Sequence, residues 1–378
     1  MDLTDRLDPV LAAARESARQ VDAEATFPTA AVDALRQSGL LGLTLPGDVG
    51  GLGAGPHEFT HVVSSLAGAC GSTAMVYLMH MSTAMTVAAA PPSGLPDLLP
   101  ALAKGETLAS LAFSEAGSRS HFWAPVSKSR RNGAGVRLDA RKSWVTSAGH
   151  ADMYVVSTLN ADEDSVDIFA VPGADPGITV SGDWRGMGLR GNASNPMTFA
   201  ADVPESYRLG AAGGGFDLML QAVMPWFNLG NAAVSVGLSQ ANGSGKSNVV
   251  DAAVRHTSAA QLEHLDQSLS ALPTIRAKLA KMSIDLACTR AYVDQSAGRL
   301  AQPADDTVLH VLSVKAAAND AALRITDAAM RVCGGAAFSA HLQVDRFFRD
   351  ARAGSVMAPT ADVLYDFYGK AITGQPLF

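Results

Sequence analysis

The chain has 378 residues, of which 48% are hydrophobic and 17% charged, with a formal net charge of -7. Such a length supports two or three domains around a large core, and the low charge content points to extensive burial, part of it between subunits. No basic cluster suggests nucleic acid, and the three scattered cysteines, Cys70, Cys288 and Cys333, have neither metal-ligand spacing nor a disulfide framework.

A cytoplasmic protein is the expectation from that cysteine usage. The start, Met1 to Arg6, carries acids where a signal peptide would be basic and then apolar, so none is expected. Leu3, Leu7, Val10, Leu11, Ala14, Ala18 and Val21 recur at steps of three and four and predict an amphipathic helix. A second helix is predicted from Pro28 to Gly39, a glycine-rich loop over Pro46–Gly55, and a third helix through Phe59, Val62, Val63 and Leu66. Thr73–Ala90 is the most apolar run, but His80, Ser82, Thr83 and Thr86 interrupt it. A buried core helix is therefore expected there, and no membrane span. A short fifth helix is predicted over Leu98–Lys104.

From Thr107 to Tyr207 the residues favour strands: Leu108–Phe113, Val136–Ala140, Met153–Leu159, Val166–Val171, Ile178–Ser181 and Pro196–Ala201. Turn clusters at Asn132-Gly133, Pro172-Gly173 and Gly191-Asn192 separate some of them, and a small antiparallel barrel or sandwich is expected. Helical patterning resumes with the apolar segment Leu218–Gln240, followed by a turn or break at Asn242–Lys246. Leu272, Ile275, Leu279, Met282, Leu286 and Val293 predict a helix with Pro273 in its first turn. Another, capped by Asp305 or Asp306, runs through Val308, Leu312, Lys315 and Ile325 and ends before Gly334-Gly335. A final helix begins near Asp362. The expected architecture is α+β and multidomain: an N-terminal helical domain (1–106), a middle antiparallel β-domain (107–207) and a C-terminal four-helix bundle (208–378).

Six local sequences, in order along the chain, resemble motifs of the acyl-CoA dehydrogenase superfamily. They are Leu40–Gly53, Ser114-Glu-Ala-Gly-Ser118, Lys142-Ser-Trp-Val-Thr-Ser-Ala148, Met187-Gly-Leu-Arg190 with Val203-Pro204, Cys333-Gly-Gly-Ala-Ala-Phe338, and Arg349-Asp-Ala351. The resemblance implies a flavoprotein oxidoreductase carrying FAD, with FMN or a diffusible reduced flavin as alternatives. It implies a small-molecule substrate of the acyl-thioester kind, an electron-acceptor flavoprotein or flavin reductase as partner, and a homotetramer or homodimer.

It also implies roles for residues. Trp144 would pack on the isoalloxazine; read alone, it would be a sandwich-core aromatic. Ser114 and Thr146, with Phe113 alongside, would lie near the ring's reactive edge, where donors stabilise charge during reduction, and Ser118 would be a further cofactor-binding residue. Gly334 and Gly335 would allow close backbone approach to the cofactor, although alone they read as a helix C-cap. Thr360 would touch the flavin or adenosine part, and alone is a helix N-cap. Arg255 matches the arginine of a motif that reaches a neighbouring subunit's FAD, but Ser258 and Ala259 replace that motif's phenylalanine and glycine. Pro273 and Arg331 stand where the family has FAD-contacting glutamines, and Arg331 offers forked donors for a pyrophosphate. Arg119 would meet a phosphate or carboxylate on the substrate, or be a surface charge. The pairs Trp226-Phe227 and Phe122-Trp123 suggest an aromatic-lined substrate pocket.

The family's usual catalytic glutamate is Ala358 here, followed by Pro359, and the alternative glutamate position matches Pro225. Dehydrogenation of a thioester needs a base within reach of the α-carbon. Asp362, Glu115 and His150 are the candidates, each with a structural role as its ordinary reading; for Asp362 that is a helix first-turn acid. Two further readings stay open. One is a reduced-flavin monooxygenase of the same fold, which needs a dry pocket and a donor rather than an α-proton base. The other is a non-catalytic thioester-binding relative.

Overall fold

A computed structural model describes residues 2–240, 249–339 and 342–378, so the turn or break expected at Asn242–Lys246 lies outside the described residues. The chain forms two compact units. One comprises Met1–Phe59, Ser72–Gly186 and Arg190–Asn228; the other comprises Thr60–Gly71, Met187–Leu189 and Leu229–Phe378.

In the first unit, α1 (Leu3–Glu24) buries Leu7, Val10, Leu11, Ala14, Ala18 and Val21, the stripe set by the sequence, and is closed by an Asp2–Asp5 capping box. Helix α2 (Thr29–Ser38) stops at Gly39, whose φ of 76° suits a residue without Cβ. Helix α3 (Pro56–Ala69) passes from the first unit into the Thr60–Gly71 segment of the second, and α4 (Gly71–Ala89) and α5 (Leu98–Ala103) follow in the first, as expected. The polar interruption of α4 has a structural cause. His80 is fully buried, its Nε2 2.9 Å from the Leu41 carbonyl, while its Nδ1 accepts from the Ala109 amide at 3.1 Å. Burial lowers its pKa to about 4, so a neutral imidazole ties the Leu41 segment to the first strand. Among the described residues no helix is long and apolar enough to cross a membrane.

The β-region holds three small sheets: β1 (Ala109–Ala112), β5 (Met153–Leu159) and β6 (Val166–Pro172); β2 (Arg130–Asn132), β3 (Gly135–Arg137) and β9 (Asp202–Pro204); and β4 (Ala140–Val145), β8 (Asn195–Phe199) and β7 (Ile178–Val180). Two features depart from the sequence reading. The β1–β5 pair is parallel, whereas every other strand pair among the described residues is antiparallel. The run Val136–Ala140 is not one strand: it divides between β3 and β4, and the Lys142–Ala148 motif begins on β4. Strands β2 and β9, three residues each, are too short for any apolar alternation to announce itself. The sheets close over Val136, Tyr154, Phe169, Met197, Phe199 and Val203.

A nearly continuous helical stretch then runs through α6 (Gly215–Leu218), a π-turn (Met219–Val223) and α7 (Met224–Ser239). In the second unit α10 (Thr307–Cys333) is central, packed by α8 (Val249–Ala259), α9 (Pro273–Ala301), the single turn α11 (Gly335–Phe338), α12 (Val344–Val356) and α13 (Ala361–Ile372). Pro273 is at the start of α9, as expected, but only Met282, Leu286, Val293, Ser296 and Ala297 of that helix are buried and Ile284 is 61% exposed. Asp306 occupies the α10 N-cap position without a side-chain cap bond and lies 2.8 Å from Arg299 instead. Helix α12 was not anticipated; Val344, Phe347 and Ala351 form its buried stripe. Two sequence motifs meet here. The Leu189 amide donates to Asp350 at 2.6 Å, and a Cβ on Gly188 would fall 2.4 Å from the Arg349 carbonyl carbon, so glycine is required for that approach.

Candidate active site

Within the first unit, the loop after β1 is built on a buried ion pair. Lys142 is fully buried, and its Nζ donates to Glu115 Oε1 at 2.6 Å, to the Phe113 carbonyl at 3.2 Å and to the Ser157 carbonyl at 2.6 Å. The other Glu115 oxygen accepts from the Val126 and Ser127 amides at 3.0 and 2.9 Å. Burial pushes the Lys142 pKa down to about 8 against the pull of Glu115. Both Glu115 oxygens are thus engaged in holding the loop. The Ser118 hydroxyl closes the same turn on the Glu115 backbone carbonyl at 3.2 Å, and Arg119 follows in an exposed, left-handed conformation with φ 48°. The Ser114 carbonyl accepts from the Ser143 amide at 2.8 Å, joining the loop to β4. Phe113 stacks on Phe122 at 6.2 Å, and Trp123 meets Phe122 edge-on.

Strand β4 carries a register shift against β8 between Lys142 and Val145, and Trp144 sits inside it with φ 56°. A positive φ is rare for a bulky residue and stores of order 1–3 kcal/mol, a kind of outlier that collects at working sites. The consequence is geometric: Lys142 and Val145 point inward, while the Trp144 indole is turned out and left 63% exposed. It is not a sandwich-core aromatic. Its partner is Trp184, edge-on at 5.7 Å with an interplanar angle of 71°. Just beyond, Thr146 is buried with its hydroxyl 3.1 Å from that of Ser194.

Within the second unit, the α12–α13 turn contains Ala358 and Pro359. Its anchor is Lys315 of α10, fully buried, whose Nζ donates to the carbonyls of Gly354 at 2.9 Å, Met357 at 3.1 Å and Pro359 at 2.9 Å. Burial lowers the Lys315 pKa to about 7. Nearby, Asn319 accepts from Ser235 at 2.7 Å, and a Cβ on Gly354 would lie 2.5 Å from Asn319 Oδ1. Thr360 is the α13 N-cap residue, without a side-chain cap bond, and Asp362 is an exposed first-turn acid. Gly334, with φ 54°, ends α10, and added Cβ atoms at Gly334 and Gly335 would meet nothing within 4 Å. Arg331 is exposed and pairs with Asp327 at 2.8 Å; Arg255 is exposed on α8.

The remaining candidates separate. His150 stacks on Phe27 with ring centroids 4.0 Å apart, and burial lowers its pKa. Trp226 packs edge-on against Phe59 of α3 at 5.3 Å, and Phe227 is buried, so this pair belongs to a helical core while Phe122-Trp123 borders Phe113. Sequence reasoning assigned no role to Lys142, Trp184 or Lys315. Lys315 carried a signal, a lysine on the apolar stripe between Leu312 and Ile325; Trp184 lies outside every motif.

The architecture places the chain in a class of three-part α+β oxidoreductases. Its fold matches butyryl-CoA dehydrogenase of Megasphaera elsdenii with a TM-score of 0.88 at 21% identity, covering 99% of each chain. It likewise matches TdsC of a Paenibacillus species, solved with FMN and indole, with a TM-score of 0.86 at 20% identity over 98% of this chain and 97% of that one. This chain belongs to the acyl-CoA dehydrogenase family: the family's N-terminal, middle and C-terminal domains match residues 10–106, 110–201 and 213–373. A probable acyl-CoA dehydrogenase of Mycobacterium tuberculosis is 26% identical over 92% of this chain and 88% of its own length.

Proposed function

We propose that this protein is an FAD-dependent oxidoreductase that oxidises an acyl thioester or a related small molecule, with its base away from the family's usual position. The observation that carries the reading is the Trp144 indole, held outward by a strained bulge beside the buried Thr146. An exposed ring fits a planar cofactor, which when bound supplies the hydride acceptor. In this reading Trp144 stacks on the flavin, and Thr146 and Ser114 border its reactive edge. The Phe113–Phe122 stack keeps water from the ring, and the Lys142–Glu115 pair with Ser118 fixes the loop that presents these groups. Within the second unit, Gly334, Gly335 and Thr360 offer a backbone edge, and Arg255 and Arg331 offer cations, to which the family resemblance gives FAD-binding roles. Arg119, exposed at the loop tip, would meet a charged part of the substrate.

For the base, Asp362 is favoured over Glu115 and His150. Glu115 has both oxygens committed to Lys142 and the 126–127 amides, and His150 is stacked on Phe27. A structural acid at the start of α13 remains the competing role of Asp362. Trp226 and Phe227 fit packing better than substrate contact. An electron-acceptor flavoprotein is the implied partner, and a homodimer or homotetramer the implied assembly, supported by the exposed apolar side chains Ile284 and Val308. A reducing cytoplasm agrees with the free thiols of Cys70, Cys288 and Cys333.

A second reading has its own support. The segment from Gly354 to Ala361 contains no carboxylate, which suits a monooxygenase fed by diffusible reduced flavin from a reductase. Anaerobic titration of the FAD-loaded protein with acyl-CoAs separates the readings. Bleaching of the flavin that Asp362→Asn slows supports the first. Absence of bleaching with every thioester sinks it, and oxygen uptake dependent on a flavin reductase would then identify the second. Thioester binding with neither activity would leave a non-catalytic relative.

A further inference from the structure

Trp184 stands on the segment after β7, flanked by the exposed pair Asp183 and Arg185, whose charged ends lie 3.5 Å apart. It belongs to none of the motifs that define the family resemblance. Its ring nevertheless meets the most exposed aromatic of the β-region, Trp144, at 5.7 Å and 71°. The bulge at Trp144 settles only where that side chain leaves the sheet. The side chain is 63% exposed, so the sheet itself covers little of the ring. An edge-on neighbour restricts the ring's rotation, since the positive edge of one indole seeks the negative face of the other. Whichever ring offers its edge, the T-shaped contact leaves at least one Trp144 face open.

We propose that Trp184 is a positioning residue for the flavin platform: it holds the Trp144 indole edge-on, so that the ring meets the cofactor already oriented. The inference rests on the reading of Trp144 as the flavin-stacking residue. Preorganisation of this kind lowers the ordering cost of binding and does not require Trp184 to touch the flavin. The bland alternative, a surface ring that merely shields its own loop, makes no demand on cofactor affinity.

The test uses the full-length apoprotein and FAD as probe, with wild type, Trp184→Ala, Trp184→Phe and Trp144→Ala. Two quantities are read: the FAD dissociation constant, and the exciton couplet that a close indole pair produces in the circular dichroism of the apoprotein. Wild type should show the couplet, and both Trp184 variants should lose it. Trp184→Ala should bind FAD about tenfold more weakly, the ~1.4 kcal/mol that one decade represents. Trp184→Phe should recover most of the affinity without the couplet, since a phenyl edge supplies the same contact. If Trp144→Ala weakens FAD binding while Trp184→Ala leaves it unchanged, the flavin reading stands and the positioning role is refuted. If Trp144→Ala also binds FAD like wild type, the flavin-platform reading fails first and the inference falls with it. A wild-type apoprotein without a couplet also overturns the proposal.

Discussion

Removing the Lys315 ammonium gives a prediction with a definite sign. The lysine is fully buried and gives its three N–H bonds to the carbonyls of Gly354, Met357 and Pro359. Those carbonyls favour the ammonium, but burial opposes it and holds the pKa down to about 7. An unfolded lysine titrates near ~10.4. Between the two values the unfolded chain binds more protons than the folded one, so this site makes stability rise with pH, by at most ~1.4 kcal/mol per pH unit. Integrated from pH ~7 to ~9, with the folded group half-protonated at the start, the gain is about 2 kcal/mol. Lys315→Met abolishes that component. It also leaves three carbonyls without their donor, at roughly 1 kcal/mol each, set against the relief of not burying a charge. The absolute stabilities therefore partly cancel, whereas the pH slopes do not. Lys142, whose pKa burial also lowers, contributes equally to both proteins and drops out of the difference. Urea unfolding of wild type and variant across that range should give curves that diverge by about 2 kcal/mol, with wild type gaining more as pH rises. Hydrogen exchange should show faster labelling of residues 354–360 in the variant, since their anchor is gone. Parallel stability curves, with unchanged exchange in that segment, would refute the reasoning.

Lys142→Met leaves the Glu115 carboxylate buried without its cation and should cost about 3–5 kcal/mol, read as a fall in the urea midpoint. Gly188→Ala places a Cβ 2.4 Å from the Arg349 carbonyl carbon and should destabilise by roughly 1–3 kcal/mol, with a thermal melt as the check. On the thioester reading, Ala358→Glu restores a carboxylate to the α12–α13 turn. It should accelerate anaerobic flavin bleaching by an acyl-CoA by about 10²–10⁴, the usual worth of a general base, measured by stopped flow.

The helices were legible where one face of the chain is buried and the other is wet. The α1 stripe and the Gly39 stop follow from spacing and end signals that act over a few residues. Strands β2 and β9 were not, because three residues are too few to establish a period even where, as at Val203 of β9, the middle one is buried, and the parallel partnership of β1 with β5 is a tertiary choice that neither strand encodes alone. The candidate site divides along the same line. Trp144 could be picked out by its motif, but its orientation depends on a bulge whose register involves β8, some fifty residues away in sequence. Lys315 shows most directly why function outruns pattern. Read as a helix position, it is a misplaced polar residue on the α10 stripe. Its meaning comes from carbonyls contributed by the end of α12 and the turn beyond it, some forty residues on. A turn that lacks the family's carboxylate at Ala358 is nevertheless fixed by a buried lysine. Its backbone geometry is therefore retained independently of the side chain at that position. That separation is what makes Ala358→Glu informative: if the turn is held by Lys315, a new carboxylate should need Lys315 to act. The gain from Ala358→Glu should then largely disappear in a Lys315→Met background, and an equal gain in both backgrounds would show that the turn's geometry is set elsewhere.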